Sequence, residues 1–330
     1  LKPNQASLDF VDSLYSEYLP NFSSKKFNVG MDEPWELGQG WSKDKIERIG
    51  KDQVYLEHLE SIRKLVEKHG KHMQFWADVL LEKPENASLL SPSASPIIWG
   101  YEAEHPFGEQ ANTISSCGLS YCLAPGTATW RSFTGRWATA KANIESATKN
   151  AIKHNAEGLL LTSWGDCGNH QPWSTLYPPL LYAAQMTWNG QPLKDDQVSD
   201  AVNRLVFDSH PDNPARIILE TGKLDEVLGS KLPNISLPWY VLFPPKADKL
   251  AKHLEENQSE QRIEKGLDFL LECRNRLPSK STSLNASLAS DETEVGIELS
   301  IFALKKALWI IRGAKPKKSF NPELTLRKFE

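Results

Sequence analysis

Between residues 8 and 190, short and nearly continuous apolar runs of strand type alternate with stretches of helical periodicity. That alternation constrains the fold more than any other feature of the chain. The strand-like runs are Phe27-Asn28-Val29-Gly30-Met31-Asp32-Glu33, His72 to Asp78, Ile97 to Glu102, Leu119 to Ala124 and Gly158 to Trp164. Between and around them, Leu8 to Leu19, Gln53 to His69, Gly108 to Ser116, Trp137 to His154 and Tyr182 to Trp188 place apolar residues at helical spacing. Strands that are apolar on both faces and separated by helices belong to a parallel sheet covered by helices. A closed barrel needs eight strands, and five are readable here. Two architectures fit: part of a barrel whose other three strands precede Leu1, or an open, doubly wound sheet. No glycine-rich phosphate loop follows any run, which removes the usual nucleotide-binding reason for the second.

From about Gly190 the pattern becomes helical throughout, over 196–209, 213–229, 246–274 and 291–312, with proline-containing turns such as Leu237-Pro238-Trp239 and Phe243-Pro244-Pro245 between. The expected organisation is therefore an α/β part over 1–190 and a helical region over 191–330. The helical region is expected to serve packing or homodimer formation, because its charges have the distribution of solvated helix faces.

Composition narrows the function classes. A formal charge of −4 with acids and bases interspersed provides no basic stripe, so a nucleic-acid partner is not expected. No apolar run approaches the roughly 20 residues that span a bilayer, and no charged-then-apolar leader opens the sequence, which starts at leucine. The compartment is not fixed by these features. Cys117, Cys122, Cys167 and Cys273 stand in no metal-like spacing and are expected to be reduced structural thiols. No clustered metal ligands are found, and neither a metal nor any other cofactor is expected.

Chemistry is suggested at Asp32-Glu33. Neighbouring strand residues point to opposite faces, so two adjacent carboxylates converge on one ligand only where the strand ends and its backbone bends. Gly30 and Pro34 bracket such a bend. Carboxyl ends of barrel strands are where catalysis sits. The chain also holds eleven tryptophans. Trp76, Trp99 and Trp164 each fall at the end of a separate strand-like run, and Trp130 lies in the loop after another. Indole rings gathered from several strands wall the apolar faces of a sugar ring well. Glu102, His105, His170 and Trp173 fall on the same expected rim.

Taken in order, the helix and Phe-Asn-Val-Gly-Met-Asp-Glu of 8–34, Phe75-Trp76-Ala77-Asp78, Trp99-Gly100-Tyr101-Glu102 and Thr162-Ser163-Trp164-Gly165-Asp166 resemble glycoside hydrolase family 20, the β-N-acetylhexosaminidases. The resemblance covers residues 8 to 190. It implies a partial (β/α)8 TIM barrel, about strands 4 to 8, with Asp32-Glu33 closing the fourth strand and strands one to three lacking. It also implies substrate-assisted hydrolysis, in which the 2-acetamido oxygen of the substrate is the nucleophile. In that scheme Glu33 is the general acid and later the base, and Asp32 orients the acetamido N–H and stabilises the oxazolinium charge. Tyr121 donates to the acetamido oxygen. Trp76, Trp99 and Trp164 wall the sugar pocket, Trp130 lies near the aglycone, and Asp166 binds outer hydroxyls.

Two departures stand out. Tyr121-Cys122-Leu123 replaces the common Tyr-x-Asp, and Trp-Gly-Asp replaces Trp-x-Glu. The expected activity is exo-acting removal of terminal GlcNAc or GalNAc from N-acetylhexosamine-containing glycans. The rivals are a non-catalytic carbohydrate-binding fragment, and a barrel glycosidase that uses Glu33 and Asp166 as acid and nucleophile.

Overall fold

The computed structural model describes residues 2–278 and 283–313. Five parallel strands form one sheet: β1 (Lys26–Asn28), β2 (His72–Trp76), β3 (Ala94–Trp99), β4 (Cys122–Ala124) and β5 (Gly158–Leu159). Their spatial order is the chain order, with Asn28 beside Gln74, Trp76 beside Ile97, Trp99 beside Ala124 and Leu123 beside Leu159. A doubly wound sheet reverses its strand order at a switch point, and this sheet has none. The sequential order is that of a partial α/β barrel, followed along the chain by a helical region.

The chain divides into two compact units. The first comprises Leu1–Gly100, Pro106–Ala124 and Ala147–Leu160. The second comprises, among the described residues, Tyr101–His105, Pro125–Ser146 and those from Leu161 onward. This division does not coincide with the change of character expected near residue 190.

The first unit contains the sheet and the helices α1 (Gln5–Tyr18), α2 (Lys43–Ile49), α3 (Lys51–Lys68), α4 (Asp78–Glu82) and α5 (Phe107–Ser116), together with the end of α6 (Trp137–Lys153). Asn4 caps α1 by accepting the Ser7 N–H. Along α3, Tyr55, Leu59, Ile62 and Val66 fall on one side and are buried. They pack on Met73 and Phe75 of β2, Ala94 and Ile98 of β3 and Leu123 of β4, with Phe107, Ala111 and Ile114 of α5 in the same core. Strand alternation sends the intervening residues to the other face of the sheet. There Trp76, Ile97, Trp99, Cys122 and Ala124 form a separate cluster.

All five strands differ in extent from the expected runs: β2 stops at Trp76, β4 starts only at Cys122 and β5 stops at Leu159, and two boundaries have a clear cause. The run expected to continue to Glu33 ends as a regular strand at Asn28 and keeps its bonds to β2 only as far as the Gly30 carbonyl, because Gly30, Met31 and Glu33 all have positive φ and cannot continue an extended strand. β3 begins at Ala94, inside the turn expected over 92–96, and includes Pro96. β4 pairs with β3 only from Ile97 onward, so the missing N–H of Pro96 interrupts no ladder on that side.

The second unit is helical: α7 (Tyr177–Asn189), α8 (Asp195–Val206), α9 (Pro214–Thr221), α10 (Leu224–Leu228), α11 (Leu237–Leu242), α12 (Ala247–Asn257), α13 (Glu260–Asn275) and α14 (Leu284–Ile311). The helix expected over 213–229 is broken at Gly222 and Lys223 into α9 and α10, and that over 246–274 is broken at Gln258 into α12 and α13. Ser259 and Ser283 supply the side-chain caps that start α13 and α14. One core gathers α10, α11, α13 and α14 around Leu228, Val241, Leu270 and Leu304. A second joins Trp137 and Ile144 to Tyr182, Val198, Phe207 and Leu219. Among the described residues no helix is long and apolar enough to cross a membrane, and no group of three or more His, Cys, Asp or Glu side chains is placed to hold a metal ion. The four cysteines are free thiols.

Candidate functional site

The turn that follows β1 holds both carboxylates of the Asp-Glu pair. Gly30, Met31 and Glu33 have φ of +79°, +77° and +43°. For Met31 and Glu33 such angles cost on the order of 1–3 kcal/mol each and persist only where the surroundings over-determine them. Here the restraints come from several elements of the first unit. The Asn28 side chain accepts the Gly30 N–H at 2.8 Å, and the Trp76 N–H donates to the Gly30 carbonyl at 2.9 Å. The Tyr55 hydroxyl on α3 donates to the Met31 carbonyl at 3.1 Å. Asp78 Oδ2, at the start of α4, accepts the Glu33 N–H at 2.9 Å. A bond from the Trp35 N–H to the Glu33 carbonyl, 2.7 Å, closes the turn.

These restraints leave the Asp32 and Glu33 side chains exposed at the carboxyl end of a parallel strand. Asp32 also borders a cleft of ≈ 610 Å³ whose walls include Tyr15, Val29, Met31, Pro34 and Tyr55. That volume lies in the range of small-molecule pockets.

Trp76 and Trp99 end β2 and β3 on the face of the sheet away from α3 and α5, where they join Ile97, Cys122 and Ala124. Both are partly exposed. The Trp99 indole Nε1 donates to Asp78 Oδ1 at 3.5 Å. Asp78 thus links the Trp99 ring to the turn that carries Asp32 and Glu33. Asp78 closes the Phe75-Trp76-Ala77-Asp78 motif, and its place just past the end of a strand is the local signal for it. Burial pushes the Asp78 carboxyl above the usual aspartate range and the like charge of Asp32 adds to this, while the Glu33 and Trp99 N–H donors pull it down. Burial, and then the charges of Asp78 and Asp32, push the Tyr55 hydroxyl up, so it stays a neutral donor to Met31.

Tyr121 requires correction. It precedes β4, at the end of the strand opposite to the carboxyl termini, and shares the helix-covered face with Leu123. Its ring is 1% exposed and its hydroxyl donates to the His154 carbonyl at 2.9 Å. The structure assigns it to the core, because a residue of that parity cannot face the side lined by Trp76 and Trp99.

The remaining candidates lie in the second unit. Trp130 is also 1% exposed, edge-on to Tyr101 at a centroid distance of 5.0 Å and close over Gly126. Its placement is that of a core residue. Trp164 and Asp166 are exposed on the segment after β5, where the Gln171 side chain donates to the Trp164 carbonyl at 2.7 Å. Glu102 pairs with the buried Arg136 at 2.6 Å and accepts the Asn234 N–H at 2.7 Å, which is a structural role. His170 stacks on Phe243 at 4.8 Å and accepts from the Trp239 indole at 3.3 Å, whereas Trp173 is largely exposed.

No protein-family model matches the sequence, and no curated protein sequence does. Among solved structures, the chain is similar to a chitobiase from Flavobacterium johnsoniae, with 14% identity and a TM-score of 0.42, over 99% of this chain and 56% of that one. It is also similar to a β-N-acetylhexosaminidase from Bacteroides fragilis NCTC 9343, with 13% identity and a TM-score of 0.48, over 63% of this chain and 46% of that one. The chain therefore spans about half the length of the solved structures it resembles.

Proposed function

We propose that this chain carries the acid–base turn of a retaining, exo-acting β-N-acetylhexosaminidase that releases terminal GlcNAc or GalNAc with help from the substrate's own acetamido group. One observation carries the proposal. Asp32 and Glu33 stand side by side on a braced turn at the carboxyl end of a parallel strand, and Trp76 and Trp99 end the next two strands. The ordered motifs that resemble glycoside hydrolase family 20 support the same reading.

In the proposed reaction Glu33 gives its proton to the glycosidic oxygen as the bond from that oxygen to C1 breaks, and the acetamido oxygen attacks C1 to form an oxazolinium. Asp32 accepts the acetamido N–H and offsets the positive charge that develops on the ring being formed. The Glu33 carboxylate then takes a proton from water as that water attacks C1 and opens the ring. Two inversions at C1 give net retention. Substrate and water balance the reaction. The indoles of Trp76 and Trp99 supply apolar walls that exclude water, and Trp164 and Asp166 are assigned to holding the sugar on the resemblance alone. Tyr121 and Trp130 take no part.

The test is hydrolysis of nitrophenyl N-acetyl-β-glucosaminide and galactosaminide beside the plain β-glucoside. Cleavage confined to the acetamido substrates supports the scheme. Equal cleavage of the plain glucoside would overturn it in favour of two enzyme carboxylates.

A further inference from the structure

Where β1 and β3 leave β2, backbone pairing ends with two bonds: the Trp76 N–H donates to the Gly30 carbonyl at 2.9 Å, and the Ala77 N–H to the Ile97 carbonyl at 3.0 Å. Two residues beyond Trp76, the Asp78 side chain continues the same pattern. Its Oδ2 takes the Glu33 N–H from the first strand's turn, and its Oδ1 takes the Trp99 indole N–H from the end of β3. One carboxylate therefore ties together three consecutive strand ends after the ladder has stopped.

We propose that Asp78 is a positioning residue, whose ionised carboxylate fixes the Glu33 turn and the Trp99 ring wall relative to each other. This rests on the assignment of Glu33 as the acid. The chemistry of the group is specific. A carboxylate offers an acceptor on each oxygen, whereas an amide or a protonated carboxyl turns one of the two positions into a donor and faces it against an N–H. Losing that acceptor frees either the turn, which already holds Met31 and Glu33 at positive φ, or the indole. The groups that face Asp78 are Asp32 and Glu33 from the turn, Tyr55 from α3 and Trp99 from β3. Tyr55 is neutral, so Asp78 adds negative charge beside the acid pair.

The coupling is read first without substrate. In the ¹⁵N-labelled chain, the Trp99 indole N–H resonance, assigned with Trp99→Phe, and the Glu33 amide resonance are followed as the pH is lowered. They are expected to move together with one midpoint above that of an ordinary aspartate. Asp32→Asn should preserve the shared movement, and Asp78→Asn should abolish it at the indole. The proposal is overturned if the two resonances titrate independently, or if the indole still titrates in Asp78→Asn. On the nitrophenyl acetamido substrate, Asp78→Asn is expected to lower kcat by about 100-fold with KM nearly unchanged. A kcat equal to that of the unaltered protein overturns the proposal. Failure of the unaltered protein to cleave the acetamido substrate counts against the assignment of Glu33 instead, and the two resonances still decide Asp78.

Discussion

The Tyr121 hydroxyl donates to the His154 carbonyl at 2.9 Å, from a ring that lies under the helices rather than at the site. Tyr121→Phe is therefore expected to leave hydrolysis of the acetamido substrate unchanged and to reduce stability by about 1–2 kcal/mol, through loss of the hydroxyl's bonds to the His154 carbonyl and the Ser115 side chain. Urea midpoints and kcat measured on the same variant check both halves. A large fall in kcat with unaltered stability would return Tyr121 to the site.

Asp32 and Glu33 are neighbours with different expected effects. Glu33→Gln should lower kcat about 100- to 10,000-fold, because the proton donor to the leaving oxygen is lost. Asp32→Asn should lower it about 100- to 1,000-fold, because the charge that opposes the oxazolinium is lost. Far-UV circular dichroism should be unchanged in both, since the side chains are exposed. Leaving-group dependence separates them. The rate of Glu33→Gln should recover most on substrates whose leaving group needs no proton.

Gly126 allows two aromatic rings to approach the backbone. A Cβ there would lie 2.6 Å from Trp130 Cη2 and 2.8 Å from Tyr101 Cδ1. The Gly126 N–H is also held by Asn143 Oδ1 at 3.0 Å, so the backbone has little room to retreat. Gly126→Ala should cost about 1–3 kcal/mol by overpacking, measured as a fall in thermal midpoint. Trp130→Phe in the same background should restore part of it.

Asp225 makes stability depend on pH. Burial pushes its carboxyl up to about 6, although Arg136 at 3.8 Å and the Leu237 N–H pull it down. Between about pH 4 and pH 6 the unfolded chain has already released this proton while the folded chain keeps it, so folding takes up a proton. The contribution is complete below that window and is lost as pH rises through it, and is worth about 3 kcal/mol. Asp225→Asn should gain on the unaltered protein in urea midpoint as pH rises through the window. A difference that stays constant with pH would sink the assignment.

Much of this architecture was legible in the amino-acid sequence because periodicity is a local property. The alternation of apolar runs and helical spacing gave all five strands, and the run ending in Asp32-Glu33 marked the turn proposed as the site, since both depend only on residues a few positions apart. The same parity also contained the answer for Tyr121: it lies two residues before Leu123 and therefore on its face. Bends were legible as glycine and proline, but how far β1 ran was not, because the positive φ angles of Met31 and Glu33 are imposed by Tyr55, Trp76 and Asp78.

The sequence by itself determined that strands and helices alternate, which residues share a sheet face, and that an acid pair stands at a strand end. Only the tertiary structure decided the order of the strands, the burial of Trp130 against Tyr101 and the pairing of Glu102 with Arg136. It also decided that Asp78, 45 residues from Glu33, braces the turn. Contacts of that separation are set by how whole elements dock, and no local pattern records which distant donor will meet a given carboxylate.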